Sequence, residues 1–149
     1  MQAANEKKQT VRKDAGRLAD FIMFTQRSFL LDLSRDLNEG NVSFAQFFLL
    51  GYLATEDYLS MTDIAKKMGH STAAATGLVD RLEKLGYVQR IHAADDRRKV
   101  MVQITRKGIE LVDRMRAGIA KNLANVMDGM DEGQKSGVLA ASEKVASRA

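Results

Sequence analysis

The chain has 149 residues, 45% of them hydrophobic, and a formal net charge of +4. That length suits one ordinary domain with helical extensions. With no cysteine, disulfides, thiolate zinc sites, cysteine nucleophiles and thiol redox switches are excluded, and two histidines in no metal-ligand spacing leave no metal or cofactor to expect.

Residues 1–10 read as a frayed start. The polar opening MQAANEKKQTVRKD lacks the apolar centre of a signal peptide. No apolar run approaches the roughly 20 residues of a membrane span, so a soluble, cytoplasmic protein without a membrane partner is expected. From Val11 to Leu37, apolar residues recur at three- and four-residue steps (Leu18, Phe21, Ile22, Phe29, Leu33), which predicts one long helix. Phe24, Leu30 and Leu31 widen its apolar surface beyond one stripe. So short a chain can hardly cover that surface alone, and a partner subunit is expected. Gly40 is expected to stop the helix at positive φ.

Ser43 followed by Gln46 fits a capping box and opens a helix to about Ala54. Tyr58-Leu59 suggests a short strand. Ser60 and Asp63 cap a further helix that Gly69 is placed to end. Ser71 caps the next, whose core face is Ala75, Leu78, Val79, Leu82 and Leu85. The period then changes. Tyr87–Ile91 and Val100–Ile104 read as strands flanking a charged loop, which makes a hairpin. Thr105 caps a long helix that breaks at Gly129, and Asp131 caps a last one with a thin stripe of small apolar residues. Between Met61 and Gly108 lie ten basic and five acidic residues, so the basic excess there exceeds that of the whole chain. Phosphate contacts would need it in that place.

Two short helices around Gly69-His70-Ser71 make a helix-turn-helix candidate. The outer face of the second offers Thr72, Ala73, Ala74, Thr76, Gly77, Asp80 and Arg81. Small side chains let such a helix sit deep in a major groove, where hydroxyls and methyls meet base edges. Its first two turns hold no Asn, Gln or Arg for bidentate base contacts. Modest direct readout is therefore expected, with more weight on phosphates and groove shape. Taken alone, an Ala-rich helix start is equally good helix-forming sequence. The loop Ala94–Lys99 is the sharper signal, since arginine at a hairpin tip can enter a narrow minor groove. Asp96 would then pair with an arginine and fix its direction. Taken alone, the loop is a solvated charged turn; behind a helix-turn-helix it reads as a DNA finger. His70 reads either as a phosphate contact or as a turn residue with a backbone partner, and His92 as a strand residue without a role.

In this combination the segment resembles the winged helix-turn-helix of the MarR family of bacterial transcription regulators. That family's wing signature is Asp-x-Arg, five residues, then Leu-Thr and a nearby Gly. Here it stands as Asp96-Arg97-Arg98, Lys99 to Gln103, then Ile104-Thr105 and Gly108, with Ile in place of Leu. The recognition-helix pattern is similar from Ser71 and Thr76 through Leu82–Val88 to Arg90. The resemblance implies a mainly α fold with a small β-hairpin wing, in which a winged helix-turn-helix joins a helical dimerisation region. Residues 1–38 would be an N-terminal dimerisation helix, 42–108 the DNA-binding domain and 109–149 the C-terminal dimerisation helices. It implies a homodimer on double-stranded DNA, with recognition helices in successive major grooves of a pseudo-palindrome. Ser71, Thr72, Ala73, Ala74, Thr76 and Arg81 carry over as helix contacts. Arg97, Arg98 and Lys99 carry over as wing contacts, oriented by Asp96; which arginine enters the groove stays open.

Family members often answer to a small aromatic or anionic effector. The candidate lining here is Phe21, Phe24, Phe47, Phe48, Tyr52 and Met61, each of which, taken alone, reads more readily as plain core. The expected function is a dimeric, sequence-specific repressor released by such a ligand. The alternative is a winged-helix protein–protein interaction module without DNA binding. No nucleophile–base pair, metal cluster or phosphate loop supports an enzyme.

Overall fold

The computed structural model describes residues 2–20, 23, 27–56, 58–96 and 98–147. In chain order the elements are α1 (Gln2–Asp20), α2 (Arg27–Glu39), α3 (Phe44–Thr55), β1 (Leu59–Ser60), α4 (Met61–Met68) and α5 (Thr72–Lys84). They continue with β2 (Val88–His92), β3 (Val100–Ile104), α6 (Arg106–Asp128) and α7 (Glu132–Ala146). The mainly helical fold with a small hairpin wing is therefore as the sequence predicts.

Two features at the N-terminal end differ. Residues 2–10 are helical rather than frayed, because the stretch is rich in Ala, Lys, Glu and Gln and holds no Gly or Pro before Gly16. The expected helix from Val11 to Leu37 appears as α1 and α2, and residues 21, 22 and 24–26 between them lie outside the described residues.

The α2–α3 turn also departs from expectation. Positive φ falls on Asn41 (φ 54), not on Gly40. Asparagine tolerates that region better than other non-glycine residues. Gly40 is small for another reason. A Cβ there would lie 3.3 Å from the Tyr87 hydroxyl and 3.4 Å from Leu111 Cδ1.

Five helix starts are capped as the sequence predicts. Ser43 and Gln46 form a reciprocal capping box at α3, as do Asp131 and Gln134 at α7. Ser60, Ser71 and Thr105 each accept from the backbone N–H three residues on. Each such bond satisfies one of the donors that a helix start leaves open. Gly69 ends α4 in the left-handed conformation (φ 62), as expected.

The sheet has strand order β1-β3-β2, antiparallel throughout. Val88 faces Ile104 and His92 faces Val100 across the hairpin, while Leu59 faces Val102. One core joins these elements. Leu49, Leu50 and Leu53 of α3, Ile64 of α4, and Ala75, Val79 and Leu82 of α5 are buried with Val88 and Val102 of the sheet. Leu37 of α2 and Leu111 and Met115 of α6 belong to the same cluster. The flanking helices thus reach into the head and seat it. Farther out their apolar residues are uncovered. Val11, Leu18, Leu30, Leu31, Leu123, Val138, Leu139 and Val145 are all exposed, and α7 buries none of its residues.

Candidate nucleic-acid interface

The turn between α4 and α5 is built from local bonds. His70 N–H donates to Ala65 O at 2.9 Å, and Gly69 N–H to Lys66 O at 3.2 Å. His70 is thus a turn residue with a backbone partner. Ser71 Oγ accepts from Ala74 N at 3.2 Å. That bond uses an oxygen lone pair and leaves the hydroxyl hydrogen free to donate to an anion.

The first turn of α5 projects outward. Ser71, Thr72, Ala73 and Ala74 are exposed, while Ala75 and Val79 anchor the opposite side in the core. Thr76 is half-buried, and its hydroxyl donates back to Thr72 O at 2.8 Å. Its proton is committed inside the helix, so it can offer a ligand its methyl and acceptor lone pairs but no donor. Arg81 is exposed and donates to Asn41 Oδ1 at 3.0 Å. A guanidinium has five donor hydrogens, so this bond leaves others for a phosphate.

The wing is a hairpin with a closed tip. Ala93 N–H donates to Lys99 O at 3.0 Å, and Lys99 N–H to Asp96 O at 2.9 Å. Asp96 Oδ1 accepts from the Arg98 backbone N–H at 3.0 Å and lies 4.0 Å from Arg98 Nε. The carboxylate therefore shapes the tip chiefly through the main chain, and its side-chain pairing with Arg98 is loose. Arg98 is 96% exposed, which is close to the most a tethered guanidinium can offer a groove. Lys99 is 3.5 Å from Asp95 and also exposed. Arg97 lies outside the described residues.

The wing's root carries side chains that the pattern of charges did not single out. Thr105 Oγ1 donates to Gly86 O at 2.7 Å, and Lys107 Nζ donates to Leu85 O at 2.6 Å while lying 4.6 Å above the Tyr87 ring. Gly108 is forced by close approach, since a Cβ there would stand 2.4 Å from Tyr87 O and 2.6 Å from Ile104 Cγ1. Arg90 bonds Asp80 and Glu83 of α5, and the Asp80 hydrogen bond, outweighing burial, holds its pKa above the ordinary arginine value. In the sequence Arg90 stands at the end of the family pattern with no partner assigned to it.

Among the described residues, the aromatic candidates do not converge into one enclosed site. Phe48 and Tyr52 are exposed on one side of α3, in line with exposed Phe44. Phe47 and Met61 are partly buried against the core. Phe47 and Phe48 are in tilted contact, with ring centroids 6.1 Å apart. Lys67 sits 5.5 Å from the Tyr52 ring centre. Phe21 and Phe24 lie outside the described residues. Among the described residues no group of His, Asp or Glu could hold a metal ion, and no helix is long and apolar enough to cross a membrane.

A three-stranded sheet behind a helix-turn-helix, with a charged tip and the Asp96 and Gly108 constraints, is a winged helix. A MarR family model matches residues 41–99, which runs from the α2–α3 turn to the wing. Over that span the chain is similar to the MarR family. It is 48% identical over 65 residues to the Bacillus subtilis (strain 168) uncharacterized HTH-type transcriptional regulator YfiV, covering 44% of this chain and 41% of the relative. It is 30% identical over 101 residues to the HTH-type transcriptional repressor YetL of the same organism, covering 68% of this chain and 59% of the relative. The chain thus spans roughly half the length of these two relatives. The fold is also that of S. aureus MepR in a crystal structure of its DNA complex. There the TM-score is 0.70 and the identity 22%, over 85% of this chain and 96% of that one.

Proposed function

We propose that this chain is a transcription regulator that binds double-stranded DNA as a homodimer and represses from a pseudo-palindromic operator. The reading rests on one observation above others. The small start of α5 is exposed, and so is the wing, whose Arg98 is 96% exposed. Ser71, Thr72, Ala73 and Ala74 fit the major groove, with Ser71 donating to a phosphate and Thr72 and the alanine methyls meeting base edges. Thr76 offers its methyl, and Arg81 a backbone contact. Arg97, Arg98 and Lys99 fit the adjacent minor groove or its phosphates, with Asp96 holding the tip in shape.

The uncovered apolar residues of α1, α2, α6 and α7 support a second copy as partner. On this reading residues 1–38 and 109–149 make the dimer and 42–108 read the DNA. Two heads joined in one dimer supply the affinity and spacing that one small-residue helix lacks. YetL is named a repressor, and the MepR structure holds DNA; both support the reading. It assigns no enzymatic activity.

An effector fits the same scheme. The surface around Phe47, Phe48, Tyr52 and Met61 suits an aromatic or anionic molecule, with Lys67 beside the Tyr52 ring. Binding there would shift the population of head spacings. The deciding experiment is gel-shift titration with a random-sequence duplex pool, followed by sequencing of what is retained. Retention that yields a two-fold symmetric motif is expected. No retention even at low salt would contradict the reading and favour a protein partner for the head.

A further inference from the structure

We propose that Arg90 is a positioning residue that sets the angle between the wing and the recognition helix. The inference rests on the DNA-binding reading above and deepens it. Arg90 stands in β2, at the wing's root, opposite Val102. Its backbone N–H donates to Glu83 Oε1 at 3.0 Å. Its guanidinium bonds Glu83 Oε2 through one terminal nitrogen and Asp80 Oδ1, at 2.6 Å, through the other. Asp80 and Glu83 are three residues apart and so share one side of α5. One strand residue therefore grips two successive turns of the helix, by main chain and by both arms of its fork.

The Thr105 Oγ1–Gly86 O and Lys107 Nζ–Leu85 O bonds hold the turn between α5 and β2, not the side of the helix that Arg90 grips. The chain between α5 and β2 is a short turn whose Gly86 sits at φ 79. Val79, Leu82 and Val88 hold the helix and sheet together, but burial of apolar surface is non-directional. Charge-assisted bonds from a planar fork are directional. The Arg90 side chain is 27% exposed, so salt screens its pairs less than it screens the wing tip's. Two carboxylates already balance its charge, which makes Arg90 a poor phosphate ligand in its own right. Its pairing also neutralises Asp80, an exposed carboxylate on the helix face that would otherwise repel the duplex.

A double-mutant cycle separates these roles. The probe is a duplex of about 30 base pairs carrying the motif retained from the random pool, and the chains are wild type, Arg90→Gln, Arg98→Ala and the double variant. Arg90→Gln is expected to weaken binding by about tenfold, with α-helical circular dichroism unchanged. Arg98→Ala should cost several-fold in the wild-type background and less than about twofold beside Arg90→Gln, because a wing without its anchor no longer delivers Arg98. Amide hydrogen exchange without DNA should rise in β2, β3 and the tip of Arg90→Gln while α3 keeps its protection. Arg90→Lys should recover only a minor part of the loss, since an ammonium cannot span both carboxylates. Additive losses with unchanged exchange, or full recovery by lysine, overturn the proposal. If the wild-type chain retains no duplex, the DNA-binding reading falls instead, and the exchange measurement still decides whether Arg90 holds the wing.

Discussion

The Tyr87 hydroxyl donates to the carbonyl oxygen of Gly40 at 2.9 Å, joining the start of the wing to the turn between α2 and α3. The bond is buried. The Tyr87 backbone carbonyl in turn accepts from Thr105 N at 3.0 Å, at the start of α6. One residue thus ties the reading head to both flanking helices. A shift of those helices has a direct route to the wing.

Tyr87→Phe keeps the ring and its contact with Lys107 but strands the Gly40 carbonyl. The expected loss is about 1–2 kcal/mol of unfolding free energy, read from urea denaturation. A midpoint within error of the wild type would mean that the bond is replaced by solvent.

Gly108→Ala should be far worse. Its Cβ would stand 2.4 Å from a backbone oxygen, which cannot swing away as a side-chain tip can. A loss of about 3 kcal/mol or more, or failure to accumulate as folded protein, is expected in thermal denaturation. Gly16→Ala is the control, because nothing lies within 4 Å of a Cβ there; it should be neutral or mildly stabilising.

Asn41 tests the turn in another way. At φ 54, Asn41→Gly should be close to neutral for stability, whereas Asn41→Val should cost about 1–2 kcal/mol of strain. Both variants also release Arg81 from its bond to Asn41 Oδ1. Equal stability of the two variants would argue against strain at this position.

Much of this was legible in the sequence because it is local. The caps at Ser43, Ser60, Ser71, Thr105 and Asp131 are each set by residues three apart, and all five appear. The hairpin strands were visible as a change of period. What was not legible depends on residues far apart in the chain. Gly40 looked like a helix stop, but Tyr87 and Leu111 explain its size, and neither is near it in sequence. Arg90 looked like one more positive charge until Asp80 and Glu83 were found around it. The helicity of residues 2–10 was missed because the pattern sought there was apolar, and α1 has no buried face among its described residues.

Dimerisation has its own test. Leu139 on α7 is 53% exposed and plays no part in the core of a single chain. Leu139→Glu should leave the head folded and shift micromolar protein toward monomer in sedimentation velocity. Duplex affinity should fall by about tenfold or more, since avidity is lost. A dimeric variant would place the subunit contact elsewhere, and a monomeric wild type would contradict the homodimer.

Arg98→Ala should weaken binding at every sequence and flatten the salt dependence by about one logarithmic unit of slope for each phosphate that Arg98 neutralises. Thr72→Ala should instead change which sequences are preferred, with a smaller effect on the slope. An unchanged slope for Arg98→Ala would remove the wing tip from the interface.

The central claim is that two identical heads read one duplex together. Selection from a random duplex pool by the full chain, followed by sequencing, tests it most directly. The expected product is a pseudo-palindrome whose half-sites are centred about one helical turn, or a whole multiple of one, apart. Enrichment of a single unpaired half-site, or no enrichment over the starting pool, would contradict the account.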